Sequence, residues 1–208
     1  MSSPSSSLLD VVPVMPVVVV DDVAHAVPVA RALVAGGLAA IELTLRTPAA
    51  LDAIRAIAAE VPEILVGAGT IVTPAQARAA AQAGAQFLVS PGVTRGILHA
   101  MRDTGLPFLP GTATVSEVLA ALEAGCTELK FFPAEASGGT AYLKAIASPV
   151  PTARFCPTGG ITLASATTYL SLPNVGCVGG SWLTPADALA SGDWARVTGL
   201  AAQAAALR

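Results

Sequence analysis

Residues 40–70 read Ala-Ile-Glu-Leu-Thr-Leu-Arg-Thr-Pro-Ala-Ala-Leu-Asp-Ala-Ile-Arg-Ala-Ile-Ala-Ala-Glu-Val-Pro-Glu-Ile-Leu-Val-Gly-Ala-Gly-Thr, and they hold one complete structural unit. Ala40–Leu45 is a short apolar run that predicts a strand. Pro48–Glu60 is alanine-rich with proline near its first turn, which predicts a helix. Ile64–Ala68 then predicts the next strand. The same alternation extends in both directions. To the N-terminal side lie a strand at Val17–Val20 and a helix at Ala24–Ala35, stopped by Gly36-Gly37. To the C-terminal side, strands are expected at Phe87–Val89, Pro107–Leu109, Glu128–Phe132, Arg154–Pro157 and Val175–Val178. The helices between and after them fall at Pro74–Ala83, Thr94–Asp103, Val115–Ala124, Ala141–Ala147, Leu163–Leu170, Pro185–Ala190 and Trp194–Leu207.

Eight βα units without a composition break predict an α/β fold, a single closed (β/α)8 TIM barrel, rather than an open doubly wound sheet. The strands are continuous apolar runs because helices would cover their outer faces. Residues 1–10 are expected to be a flexible N-terminal segment and residues 11–208 the one barrel domain.

The 208 residues are 53% apolar and 12% charged, enough for one well-buried domain without disulfide or metal staples. Net charge is −3, so no basic patch points to nucleic acid or an anionic membrane. Cys126, Cys156 and Cys177 show neither a disulfide framework nor zinc spacing, as expected in a reducing compartment. The first residues lack a charged n-region and an apolar h-region, and the apolar run Val11–Val20 is broken by Pro13 and Pro16. A cytoplasmic location is expected.

Barrel chemistry sits at the C-terminal ends of the strands. Those ends hold Glu42 and Arg46, Gly69-Thr70, Ser90-Pro91, Gly111-Thr112, Lys130–Pro133, Thr158-Gly159-Gly160 and Gly179-Gly180-Ser181. Lys130 is one of only two lysines and lies in an apolar run, Glu128-Leu129-Lys130-Phe131-Phe132-Pro133. Burial disfavours the charged form of an amine, and a neutral amine attacks carbonyls. Lys130 is therefore the leading candidate for a Schiff-base nucleophile; a strand-end lysine with a buried stem and a solvated head fits the same run.

Strand alternation puts Glu42, Thr44 and Arg46 on one face and Ile41, Leu43 and Leu45 on the other. Glu42 there suits proton shuttling, and Arg46 suits a bidentate clamp on a carboxylate. A buried ion pair between these two is the alternative. The paired glycines at the ends of strands seven and eight suit an anion cradle, the usual phosphate position of barrels. Glu128 and Arg154 share the inward parity nearer the strand starts and are expected to form a structural ion pair. His25 and His99 fall on predicted helices, remote from the strand ends, and Lys144 on a solvated helix. No cluster of His and carboxylate groups suggests a metal.

Ile41-Glu42-Leu43-Thr44-Leu45-Arg46-Thr47, Val66-Gly67-Ala68-Gly69-Thr70, Lys130-Phe131-Phe132-Pro133-Ala134-Glu135, Phe155-Cys156-Pro157-Thr158-Gly159-Gly160-Ile161 and Gly179-Gly180-Ser181-Trp182-Leu183 together resemble 2-keto-3-deoxy-6-phosphogluconate aldolases. The resemblance runs from about Val14 to the C-terminus. It implies a metal-free class I aldolase on a small TIM barrel, usually trimeric, needing no cofactor beyond its lysine Schiff base. It implies reversible cleavage of the phosphorylated keto-acid to pyruvate and glyceraldehyde 3-phosphate. By the same resemblance, Lys130 is the Schiff-base lysine and Glu42 the general acid/base. Arg46, Thr70 and Pro91 match the region holding the pyruvate carboxylate, and Phe132 packs on the pyruvate moiety. Thr158 supplies a hydroxyl near the substrate chain, and Gly159, Gly160, Gly180 and Ser181 form the phosphate cradle. Gly111-Thr112-Ala113-Thr114 departs from a family pattern that often has serine at position 113. Rival substrates are unphosphorylated 4-hydroxy-2-oxoglutarate and the galactonate epimer. A rival of another class is a noncatalytic sugar-phosphate binding barrel, which would not need Lys130, Glu42 and Arg46 together.

Overall fold

The computed structural model describes residues 7–207. Strands and helices alternate along the chain: β1 (Val14–Val18), α1 (Ala26–Ala35), β2 (Ala40–Thr44), α2 (Ala50–Glu60), β3 (Leu65–Gly69), α3 (Pro74–Gln82), β4 (Phe87–Val89), α4 (Arg95–Asp103) and β5 (Phe108–Leu109). They continue as β6 (Gly111–Thr112), α5 (Val115–Glu123), β7 (Glu128–Phe131), α6 (Gly139–Ala147), β8 (Arg154–Pro157), α7 (Leu163–Leu170), β9 (Val178–Gly180), α8 (Ala186–Ser191) and α9 (Trp194–Ala205). Strand pairing is parallel throughout, in the order β5-β4-β3-β2-β1-β9 for one run and β6-β7-β8 for the other. Bridges Phe155↔Val175 and Thr158↔Gly179 connect the two runs. The result is an α/β fold built on a curled parallel sheet.

Local chemistry sets where the helices start. Thr73, Thr114 and Thr162 each cap a helix with a reciprocal partner three residues on, Gln76, Glu117 and Ser165. Only short loops separate these caps from the strands before them, so each strand ends beside the start of its helix. The core is packed between sheet and helices. Phe131 of β7 stacks on Tyr142 of α6 with ring centroids 5.0 Å apart, and it meets Phe155 of β8 edge-on. The ring of Phe87 lies over Gly67 of the neighbouring strand, where a β-carbon would come within 2.3 Å of it.

The first and last strands start three residues away from the sequence reading, and the boundaries of the other expected strands agree to within one residue. The first strand starts at Val14 rather than Val17, although it contains Pro16. Proline removes only its own donor; Val14, Met15 and Pro16 still align with Val178, Gly179 and Gly180, and the Pro13 carbonyl accepts from the Val178 N–H. The last strand correspondingly runs Val178–Gly180, its glycines continuing the ladder, while Val175 makes only a bridge. Pro110 divides the fifth strand position: β5 pairs with β4, and β6 with β7.

Of the N-terminal segment expected to be flexible, residues 1–6 lie outside the described residues. Leu8–Asp10 form a 3-10 turn capped by Ser7, with Leu8 and Leu9 buried. Arg154 donates to Asp10 at 2.7 Å and lies 3.6 Å from Glu128, to which the Ser7 hydroxyl donates. The Glu128–Arg154 pair expected at the strand starts is present, and it ties this turn to β7 and β8. Hydrogen bonding to Asp10 raises the affinity of Arg154 for its proton.

Candidate active site

Alternation along β7 sends Leu129 and Phe131 toward the helices and Lys130 to the opposite face. Register places Lys130 between Gly111 and Cys156, and Glu42 between Val17 and Gly67. The curl of the sheet brings these two side chains together from positions 88 residues apart. The Lys130 Nζ donates to the Glu42 Oε1 at 3.1 Å, with only 6% and 2% of the two side chains exposed. The alternative of a solvated lysine head is excluded by that burial. So is the Glu42–Arg46 pair: Arg46 is exposed and forms no ion pair among the described residues. Two buried charges hold each other in place, and removing one strands the other.

Gly69 makes room for this pair. A β-carbon there would stand 2.1 Å from the Glu42 Oε1 and 2.6 Å from its Cγ. Gly69→Ala is therefore expected to push Glu42 off Lys130 and lower kcat by about 10²-fold, the usual consequence of misplacing a catalytic group by an ångström. Steady-state kinetics on folded protein checks it; an unchanged kcat would mean that the carboxylate can shift without consequence.

Around the pair, Thr70 follows β3 with φ of 61°, the one positive-φ residue besides glycine among the described residues. A threonine held in the left-handed region costs on the order of 1–3 kcal/mol and so marks a position fixed by its surroundings. Ser90 is fully buried, and its hydroxyl accepts from the Gly111 N–H. Pro91 and Phe132 are half-buried. The Phe132 ring centroid is 5.4 Å from the Lys130 Nζ. Thr158 is buried, with a β-carbon on Gly179 excluded by its hydroxyl 2.2 Å away. Of the strand-end residues expected to share a site, Lys130, Glu42 and Phe132 lie together, the Phe132 ring borders Gly159, and the Pro91 backbone packs against Gly111.

Beyond Thr158, Gly159 and Gly160 have φ of 104° and 81°, a backbone that side chains resist. They lead to the Thr162 cap of α7. Gly180 abuts the Trp182 ring, and Ser181 is exposed. A cleft of about 410 Å³ opens beside Ser181, lined also by Val17, Val19, His25, Thr184 and Leu189. His25 corrects an expectation. It is half-buried on a 3-10 turn directly after β1, edge-on to Trp194, and so lies near the strand ends rather than remote from them. The loop after β1 is too short to carry it away. His99 and Lys144 are exposed on α4 and α6. No three His, Cys, Asp or Glu groups converge on a metal-sized site among the described residues.

A contact absent from the sequence reading joins α7 to the segment that follows β7. The Tyr169 hydroxyl donates to the Glu135 Oε1 at 2.7 Å, from α7 to the segment after β7. No local pattern announces it, because the partners are 34 residues apart and tyrosine on an apolar helix face usually means packing.

The chain matches the family model described as KDPG and KHG aldolase over residues 6–200. It is 54% identical to a KHG/KDPG aldolase of Escherichia coli K12, covering 96% of this chain and 94% of the relative. It is 53% identical to a 2-dehydro-3-deoxy-phosphogluconate aldolase of Dickeya dadantii, covering 97% and 95%. Among solved structures, a KDPG aldolase of Legionella pneumophila holding pyruvate as a covalent carbinolamine intermediate superposes with a TM-score of 0.93 at 44% identity, covering 95% of this chain and 96% of that one. The aldolase of Zymomonas mobilis ZM4 with 3-phosphoglycerate gives 0.90 at 46% identity, covering 96% and 94%.

Proposed function

Because this chain belongs to the KDPG and KHG aldolase family, we propose that Lys130 is the nucleophile and Glu42 the proton carrier of its aldol cleavage. The chain is a Schiff-base aldolase that splits 2-keto-3-deoxy-6-phosphogluconate reversibly into pyruvate and glyceraldehyde 3-phosphate. The observation that carries the assignment of residues is the buried 3.1 Å contact between Lys130 and Glu42.

Lys130 passes its proton to Glu42, and the neutral amine attacks the C2 carbonyl to give a carbinolamine. Glu42 delivers the proton that lets water leave, and a protonated imine remains. Glu42, a carboxylate again, takes the proton of the C4 hydroxyl, which breaks the C3–C4 bond and sends its electrons to the iminium nitrogen; the same proton is available for C3 afterwards. Glyceraldehyde 3-phosphate departs, and the enamine of pyruvate stays on Lys130. Protonation at C3 and hydrolysis then release pyruvate and restore the amine. Arg46, Thr70 and Pro91 border the pyruvate carboxylate, Phe132 packs against the pyruvate moiety, and Thr158 supplies a hydroxyl near the substrate chain. Gly159, Gly160, Gly180 and Ser181 hold the phosphate, far from the breaking bond, where its binding energy orients the chain. No cofactor beyond Lys130 is needed for any step.

The same reading takes the sheet as one closed (β/α)8 barrel over residues 11–208. In its support, β9 pairs with β1, the Thr158↔Gly179 bridge joins β8 to β9, and β5 and β6 occupy one strand position around Pro110. A homotrimer fits the apolar composition, and a cytoplasmic location fits the absence, among the described residues, of a helix long and apolar enough to cross a membrane. The double name of the Escherichia coli relative favours 4-hydroxy-2-oxoglutarate as a second substrate. The galactonate epimer is disfavoured by the 27% identity to a KDPGal structure.

The pure protein should release pyruvate from 2-keto-3-deoxy-6-phosphogluconate, and Ser181→Ala should raise KM for it by about 10-fold, the loss of a hydrogen bond to a charged group. Activity on unphosphorylated 2-keto-3-deoxygluconate should barely change. Equal losses on both substrates would place the phosphate elsewhere.

A further inference from the structure

We infer that Tyr169 is a specificity-determining positioning residue, which holds the Glu135 carboxylate aside so that the Gly159-Gly160 loop can accept a phosphate. This rests on the assignment of that loop as the phosphate cradle. Glu135 is built into the loop's back. Its N–H donates to the Gly159 carbonyl at 3.1 Å, after the Ala134 N–H has donated to Thr158 at 2.8 Å. A β-carbon on Gly160 would come within 2.7 Å of the Glu135 Cγ and 2.8 Å of its Cβ. Glu135 is exposed, so its repulsion of a phosphate is screened, yet it still amounts to about 1 kcal/mol for each unit of phosphate charge held about 4 Å away.

Tyr169 addresses that conflict. It is 1% exposed, on α7, the helix that begins just beyond the loop. Its hydroxyl donates to the Glu135 Oε1 at 2.7 Å, and it lies 3.1 Å from where a Gly139 β-carbon would be. One hydrogen bond therefore fixes the rotamer of Glu135 against Tyr169 and disperses its charge into a donor. Burial, reinforced by the Glu135 hydrogen bond, pushes the Tyr169 phenol well above its ordinary range, so it remains a donor at every physiological pH. The shape of the loop is thus coupled to a residue that lies outside it, on α7.

The test compares 2-keto-3-deoxygluconate with and without its 6-phosphate. Tyr169→Phe keeps the ring and its packing but frees Glu135. It should raise KM for the phosphorylated substrate about 5–20-fold, leave kcat within about twofold, and leave the unphosphorylated substrate unaffected. Glu135→Gln alone should match wild type, because the amide oxygen still accepts from Tyr169. Glu135→Gln added to Tyr169→Phe should restore most of the lost affinity, since the repelling charge is gone. A KM increase that the second substitution leaves in place would mean that the loop has only slackened, and would overturn the charge-holding role. Equal losses on both substrates by Tyr169→Phe, or no loss, would overturn it as well. If Ser181→Ala is selective for the phosphorylated substrate while Tyr169→Phe is indifferent, the positioning role fails and the cradle stands. If Ser181→Ala is unselective, the cradle fails and takes the positioning role with it.

Discussion

Lys130→Met is expected to lower kcat for 2-keto-3-deoxy-6-phosphogluconate cleavage by roughly 10⁴–10⁶-fold, the scale of removing a covalent nucleophile. The substitution also leaves Glu42, only 2% exposed, without its partner. Breaking a buried ion pair from one side costs about 3–5 kcal/mol, so the variant should melt well below wild type. That loss offers a control. In the double variant Lys130→Met/Glu42→Gln no buried charge is stranded, and most of the stability should return while activity stays absent. Thermal melts read the first effect and pyruvate release the second. Activity returning with stability would mean that Lys130 acts as a structural partner and not as the nucleophile.

Glu42→Gln should lower kcat by roughly 10²–10⁴-fold, the range for losing a positioned acid/base. The amine of Lys130 remains, so a Schiff base with pyruvate should still form, more slowly. The two effects separate proton transfer from nucleophilic attack: kcat falls far more than the yield of trapped adduct. A kcat near wild type would make Glu42 a structural counterion to Lys130, with another group or water moving the protons.

The site chemistry was more legible in the sequence than its geometry. Two-residue alternation is local, so it placed Lys130 opposite Leu129 and Phe131, and Glu42 opposite Ile41 and Leu43, and both assignments hold in the sheet. The 3.1 Å contact between them was not legible, because it depends on how far the sheet curls between β2 and β7. Arg46 shows the same limit. Parity puts it on the Glu42 face, yet the chain turns directly after Thr44, where the Arg46 N–H donates to the Thr44 carbonyl, and the side chain ends exposed. Proline misled at one edge: Pro16 sits inside β1 because a strand tolerates one missing donor, so the strand begins three residues earlier than its unbroken valines. His25 was misplaced for a related reason, as a 3-10 turn follows β1 before α1 starts. Glu135 and Tyr169 carry no mark of their partnership, which exists only once α7 is laid against the segment after β7.

The most direct measurement is reductive trapping. The wild-type protein is incubated with pyruvate and borohydride, digested, and mapped by mass. One reduced pyruvate adduct per chain should appear, on the peptide that contains Lys130. The only other lysine, Lys144, lies exposed on α6 and should stay unmodified. An adduct on Lys144, or none on either lysine, would contradict the assignment of Lys130 as the Schiff-base residue.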